Sequence, residues 1–184
     1  VEREGVRLQM NPPVRYKKDK EILWQRIKDG TIQCIATDHA PHTLEAKAKG
    51  FPKAPSGMPG VETSLAVMLT HAKQGKCSIE DVVKWMSTNV ADCYQMIGKG
   101  KLETGYDGDV ILVDLENYAI VKDENSWTRV GWNPFRGKEL TGWTVLTIVD
   151  GIPVFERSPV SGQKGRLLVD KGAVGKPLLM GPWK

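Results

Sequence analysis

Residues 35–47, IATDHAPHTLEAK, bring together an apolar run, an aspartate, two histidines and a proline. The run from Gln33 to Thr37 has a β-branched centre, which is typical of a short buried strand. Ala40-Pro41 must leave that strand. Because α/β barrels and open α/β sheets place their chemistry at the carboxyl ends of buried strands, we expect a functional site at Asp38, His39 and His42.

Asp38 is the strongest candidate for chemistry in this turn. A carboxylate at a strand end can bind a metal through hard oxygen or act as a general base, and it also suits a plain turn. His39 and His42 could ligate a metal, but DHAPH is not a closed zinc site and such a centre needs three or four ligands. His71 is the only other histidine, and we expect it to face solvent or cap a helix. The histidine count alone therefore does not complete a metal centre.

Composition restricts the function classes. The chain has 184 residues, 40% of them hydrophobic, and a formal charge of +4, which fits one or two small globular domains without a basic stripe for nucleic acid. Cys34, Cys77 and Cys93 form no CxxC pair and predict reduced core thiols of a cytoplasmic protein. The sequence shows neither a signal-peptide pattern nor an apolar span long enough for a membrane. We expect a soluble protein.

The first part of the chain has the pattern of an α/β domain. A strand over 5–10, a helix over 19–29 and a strand over 33–37 predict a parallel βαβ unit. Residues 43–60 form a long connection rich in Lys, Gly and Pro, which we interpret as an active-site loop or lid. Three further helices are predicted, over 62–73, after a Ser78 cap paired with Asp81, and from residue 88 or 89 to 96.

The character of the sequence changes near residue 99. Val110–Leu115 and TVLTIVDGIPVF (144–155) predict strands, the second a hairpin with Asp150-Gly151 at its turn. Helix signals are scarce after residue 100. We therefore predict an α/β domain over 1–98 and a smaller β domain with a C-terminal tail over 99–184.

Three further residues are candidates for ligand binding. Asn11 precedes Pro12-Pro13 and ends its predicted strand on the same rim as Asp38, where an amide could contact a planar ligand or simply satisfy the turn. Ser56 and Gly57 in the predicted lid could offer backbone N–H groups, because glycine permits close approach.

These motifs resemble those of the dihydroorotases of the amidohydrolase superfamily. Ala36-Thr37-Asp38, Ala40-Pro41-His42 and Lys47 fit a signature of that family. Three further stretches agree in the expected order: NPPVR (11–15), PSGMPGVET (55–63) and NPFRGKELTGW (133–143). LETGYDGDVILVDL (102–115) resembles the start of the small β-sandwich strands of the superfamily.

The resemblance implies a metal-dependent cyclic-amide hydrolase that interconverts N-carbamoyl-L-aspartate and dihydroorotate in pyrimidine synthesis, with zinc as the metal. In that family the acid matching Asp38 contacts the metal centre, takes the proton from the metal-bound hydroxide and passes it to the departing amide nitrogen. The residue matching His42 helps hold the substrate carboxylate. Asn11 and the Ser56-Gly57 backbone match positions that contact the pyrimidine ring, although family members often carry a bulkier residue at the place of Ser56. His39 then becomes a neighbour that shapes the turn.

The family's HxH pair, its metal-bridging acid or carboxylated lysine and its two other histidine ligands have no counterpart in these 184 residues. The resemblance thus implies the C-terminal part of a (β/α)8 TIM barrel, with a small β-sandwich domain. We expect this chain alone to be inactive. Missing strands would leave a sheet edge open to a partner, and we expect a homo-oligomer.

Three alternatives stay open. The chain could belong to a related cyclic amidohydrolase acting on hydantoin, dihydropyrimidine or allantoin. It could belong to an inactive dihydroorotase-like subunit that supports an aspartate transcarbamoylase. It could also be a stand-alone β-rich binding module, which would leave the DHAPH pattern unexplained.

Overall fold

The computed structural model describes residues 5–158, 164–169 and 175–182. Its order of elements, helices first and strands later, agrees with an α/β chain that has a β-rich second half. The helices are α1 (Lys17–Lys28), α2 (Leu44–Lys47), α3 (Ser64–Lys73), α4 (Ile79–Val83) and α5 (Asn89–Cys93), and the strands are β1 (Val110–Ile120), β2 (Glu139–Val149), β3 (Ile152–Glu156) and β4 (Arg166–Leu167). A π-helical turn at Lys84–Thr88 lies between α4 and α5, and 3-10 turns occupy Gly5–Leu8 and Asp123–Asn125. Residues 159–163, 170–174, 183 and 184 of the predicted second domain lie outside the described residues.

The described residues form two compact units that are not continuous in sequence. One unit, here called the site unit, contains residues 5–32, Ala36–Ser64 and Ile120–Glu139. The other, here called the sheet unit, contains Gln33–Ile35, Leu65–Ala119 and the described residues from Leu140 onward. Among the described residues, no helix combines the length and the apolar character needed to cross a membrane.

The four strands form one sheet in the order β1-β2-β3-β4. β2 and β3 pair antiparallel, with Val149 opposite Ile152. Asp150 and Gly151 at the turn have φ of 51° and 78°, the positive values that a two-residue hairpin turn of the primed type requires. The predicted hairpin is confirmed.

The helices of the sheet unit begin and pack as local chemistry dictates. The Asp81 N–H donates to Ser78 Oγ at 3.1 Å and the Ser78 N–H donates to Asp81 Oδ2 at 2.9 Å, which confirms the predicted capping box of α4. α3 lies against β2, because a Cβ on Gly142 would come 2.6 Å from Leu69 Cβ. Glycine at that position permits the close approach. The helix predicted to reach residue 96 is shorter, since α5 ends at Cys93 and Gln95 has φ of 53°.

The described residues do not form the two strands predicted before residue 40. The prediction of a parallel βαβ unit is therefore wrong for this part of the chain. Gly5–Leu8 is a 3-10 turn, in which the Gln9 N–H donates to Val6 O at 3.1 Å. Gln33–Ile35 belongs to no strand, and the Ile35 N–H donates to Trp85 O at 3.0 Å. A strand needs a neighbouring strand for its backbone groups, whereas these two N–H groups donate within a 3-10 turn and to a carbonyl of the π-helical turn at Lys84–Thr88.

Two smaller expectations also need correction. The connection over 43–60 contains a short helix, α2, which begins where Thr43 Oγ1 accepts the Ala46 N–H at 3.1 Å. The three cysteines form no disulfide with one another, as predicted, but Cys93 is exposed and Cys34 and Cys77 are half-buried, so none belongs to the core. Composition alone did not show how exposed each thiol is.

Candidate active site

The segment that follows residues 33–35 holds Asp38 in an unusual backbone conformation. Asp38 has φ of 44°, a left-handed value that Asp and Asn adopt more readily than other side chains. Its neighbour His39 forms an isolated parallel bridge with Met58, and the Ala40 N–H donates to Met58 O at 3.2 Å. Asp38 is exposed, and the turn that carries it lies beside the loop that contains residue 58.

His39 binds the backbone at the end of that loop. Its Nδ1 accepts the N–H of Gly60 at 3.0 Å and that of Val61 at 3.3 Å. An Nδ1 that accepts hydrogen bonds carries no proton, so the neutral ring is protonated on Nε2. This arrangement supports the interpretation of His39 as a residue that shapes the turn.

His42 is fixed at both its ring and its backbone. Its Nε2 lies 3.0 Å from Ser56 O, so this nitrogen must carry the proton for a hydrogen bond to form. The Trp132 indole N–H donates to His42 O at 2.7 Å, and Trp132 is completely buried. The sequence analysis missed Trp132, which directly precedes the NPFRGKELTGW stretch but lies 90 residues from His42.

Ser56 and Gly57 lie close to His42 and to the segment that precedes Asn11. Gly57 is buried with φ of 132°, and a Cβ on it would come 2.5 Å from Ala40 O, so only glycine fits there. Its N–H donates to Gln9 O at 2.9 Å. A ligand contact from this backbone pair therefore falls to the Ser56 N–H or to the Gly57 carbonyl.

Asn11 is exposed at the end of the 5–10 segment and is joined to Pro12 by a cis peptide bond. The Gln9 bond to Gly57 brings the backbone of this segment to the predicted lid. The structure thus gathers Asp38, His42, Ser56 and Gly57, with Asn11 two residues from the connecting bond.

The segment over 120–139 supports this loop from within the site unit. Glu62 accepts the N–H of Trp127 at 2.8 Å and that of Thr128 at 2.6 Å. Asp123 accepts the Asn133 N–H at 3.0 Å and lies 3.6 Å from the Arg7 guanidinium. Carboxylates that accept backbone N–H groups form strong hydrogen bonds, so they fix the loop ends.

The donor set does not by itself fit a metal ion. Among the described residues, no group of three or more His, Cys, Asp or Glu side chains could hold one. Asp38 offers one carboxylate, and the two imidazoles nearby each have a ring nitrogen engaged in a loop contact. A zinc centre needs three or four ligands, so Asp38 could supply only part of one.

A separate cavity of about 500 Å³ lies in the sheet unit, and none of the predicted site residues line it. Its walls are mainly apolar side chains of α3, α4 and β1, including Leu69, Val82 and Val113. Its charged lining residues include Lys99, Asp107 and Asp109, which are already paired with one another. Because it holds none of the predicted site residues, we do not take this cavity as the candidate active site.

Comparisons with known proteins define the class. A sequence profile of the Amidohydrolase family matches residues 6–154, and the chain belongs to that family. A dihydroorotase of Pyrococcus horikoshii is 37% identical over 166 residues, which cover 90% of this chain and 38% of that protein. A dihydroorotase of Halalkalibacterium halodurans is 39% identical over 153 residues, or 83% of this chain and 36% of that protein.

Among solved structures, the chain is similar to the L-hydantoinase (dihydropyrimidinase) of Arthrobacter aurescens, with a TM-score of 0.82 and 33% identity. That match covers 92% of this chain and 37% of the hydantoinase chain. The chain thus has the α/β fold of these enzymes and spans less than two fifths of the length of its relatives.

Proposed function

We propose that the protein containing this chain is a dihydroorotase, which reversibly hydrolyses dihydroorotate to N-carbamoyl-L-aspartate in de novo pyrimidine biosynthesis. One observation carries the proposal: His42 Nε2 lies 3.0 Å from Ser56 O, and this hydrogen bond joins the segment that contains Asp38 to the loop that contains Ser56 and Gly57. The relatives named dihydroorotase, 37% and 39% identical, support the same reaction.

The residues of this chain would divide the work of hydrolysis. Asp38 would accept a proton from the attacking water and deliver it to the departing amide nitrogen, so that the ring opens without a free amide anion. His42 would face the substrate carboxylate. Asn11, Ser56 and Gly57 would contact the ring through amide and backbone groups. The direct bond between Gly57 and Gln9 favours Ser56 as the N–H donor of the pair.

We further propose zinc as the metal of the whole protein. Amidohydrolases are generally metal-dependent, and a metal supplies a nucleophilic water at neutral pH. Asp38 would be one ligand. The remaining ligands would come from outside the described residues, because these hold no group of three or more ligating side chains.

The larger assembly is likewise a proposal. Residues 1–98 would be the last part of a (β/α)8 barrel, and 99–184 a small β-sandwich-type domain. The protein would be cytoplasmic, in keeping with its three cysteines that form no disulfide with one another, and would form a homo-oligomer. Support of an aspartate transcarbamoylase by a non-catalytic subunit remains an alternative; the arrangement of Asp38 and His42 in one site favours catalysis.

A second candidate substrate class is hydantoin or dihydropyrimidine. The 33% identity and the TM-score of 0.82 to an L-hydantoinase support it. The test is turnover of dihydroorotate and of hydantoin by the whole protein with zinc. We expect dihydroorotate to be favoured in kcat/KM. Preference for hydantoin would establish the second candidate, and turnover of neither would favour the non-catalytic subunit.

A further inference from the structure

Lys47 is a buried charge at the end of α2. It is 1% exposed, whereas lysine is almost never fully buried unless it is paired. Burial lowers the pKa of its ammonium group. Among the described residues, the hydrogen-bond partners of this ammonium are two backbone carbonyls, Gln9 O at 3.1 Å and Pro55 O at 2.9 Å. Backbone carbonyls of the loop and of the 5–10 segment therefore solvate the charge.

These two carbonyls belong to the segments that carry the proposed ring contacts. Gln9 lies two residues before Asn11, and Pro55 directly precedes Ser56. Two more bonds join the same segments: the Gly57 N–H donates to Gln9 O at 2.9 Å, and Gln9 Nε2 donates to Ala54 O at 2.8 Å. We call these four bonds the Gln9 bridge.

We propose that Lys47 is a positioning residue of the active site, which acts through the Gln9 bridge to hold Asn11 and Ser56-Gly57 at the spacing that one substrate ring requires. The inference rests on the proposed function. The ammonium donates to both segments at once, and hydrogen bonds from a charged donor are stronger than neutral ones. Lys47 itself need not touch the substrate.

A purely structural role for Lys47 makes a different prediction. If the ammonium only stabilised the loop, its loss would lower the thermal midpoint and leave substrate affinity unchanged. If it positions the ring contacts, its loss weakens substrate binding, while the chemical step at Asp38 is largely retained. The two cases are separated by how KM and kcat respond.

The test is Lys47→Met in the whole protein with zinc. Methionine fills a similar volume and donates no hydrogen bond. We expect KM for dihydroorotate to rise about tenfold while kcat changes by less than about threefold. Lys53→Met is the matched control, because Lys53 is an exposed lysine of the same loop, and it should leave both constants unchanged. An unchanged KM in Lys47→Met would overturn the proposal.

Hydrogen exchange tests the bridge without any turnover. In the substrate-free protein we expect the Gly57 amide to exchange at least about tenfold faster in Lys47→Met than in wild type, since its acceptor segment is released. Unchanged exchange would overturn the proposal. If wild type turned over neither substrate, the proposed function would fail, and this measurement would still decide whether the bridge exists.

A second variant keeps the test open if Lys47→Met does not fold. Gln9→Met removes the bond to Ala54 O and should also raise KM and speed Gly57 exchange. Where both single variants fold, the KM increase of the double variant should be smaller than the product of the two single increases, because both act on one bridge. A multiplicative increase would show independent effects and contradict the proposal.

Discussion

Asp38 gives the sharpest prediction for a single residue. Its φ of 44° lies in a region that asparagine also tolerates, so Asp38→Asn removes the proton acceptor with little backbone strain. In the whole protein we expect kcat for dihydroorotate to fall by about 10²–10⁴. The thermal midpoint should barely change. Steady-state kinetics beside thermal unfolding would check both, and a variant that keeps most of its kcat would remove Asp38 from the proposed mechanism.

Other residues show what the sequence could not reveal. The DHAPH pattern was sufficient to select Asp38 and His42 as candidates, because aspartate and histidine in a turn are recognisable locally. The support by Trp132, and the engagement of the Gly57 N–H by Gln9 O at 2.9 Å, depend on contacts between distant segments. Neither contact has a periodic or compositional signal in the sequence.

Among the secondary-structure elements, too, those with local determinants were predicted and those that depend on distant contacts were not. The β2–β3 hairpin and the capping box at Ser78 were predicted correctly, since their determinants lie within a few residues. The strands predicted over 5–10 and 33–37 failed, because a strand exists only where another strand accepts its hydrogen bonds. An alternating apolar pattern indicates which face of a segment is buried, but it does not indicate whether a neighbouring strand is present.

At the β2–β3 hairpin turn we expect a contribution to folding stability that depends on pH. Asp109 Oδ1 accepts the Asp150 N–H at 2.7 Å, and its Oδ2 pairs with the Lys99 ammonium. The Lys99 hydrogen bond, followed by the Asp150 N–H, lowers the pKa of Asp109. The folded pKa therefore lies below the unfolded value of about 3.9, so the stabilisation is present above that pH and is lost as the pH falls through the lowered pKa.

Asp109→Asn should test this directly in the whole protein. Because the pair is partly solvated, we expect the unfolding free energy to fall by only about 0.5–1 kcal/mol at pH 7. The difference from wild type should shrink below about pH 4, since the wild-type carboxylate becomes protonated there. Denaturant titrations at several pH values measure the difference.

A matched control for this experiment is Glu116→Gln. It breaks an ion pair of 3.2 Å between Lys73 and Glu116, whose side chain is 87% exposed. Solvent screening makes such pairs nearly neutral, so this variant should match wild type at every pH. A constant gap between Asp109→Asn and wild type down to pH 3 would contradict the role of ionised Asp109.

At the scale of the whole molecule, much apolar surface is exposed. Phe51 and Leu102 are each 81% exposed, and Leu179 is 67% exposed. Single exposed apolar residues are normal on protein surfaces. The mainly apolar cavity of about 500 Å³ in the sheet unit is contiguous apolar surface, which is less common. These surfaces support the proposal that further protein covers parts of this chain in the working assembly.

The 184-residue chain by itself should not turn over dihydroorotate, even with saturating zinc. Its described residues contain no group of three or more metal-ligating side chains, so Asp38 would have neither a metal centre nor an activated water to work with. The whole protein assayed in parallel should be active, and far-ultraviolet circular dichroism should establish that the chain retains its helices. Turnover by the purified, folded chain that disappears in its Asp38→Asn variant would contradict this expectation, because it would mean that these residues alone assemble a complete hydrolytic site.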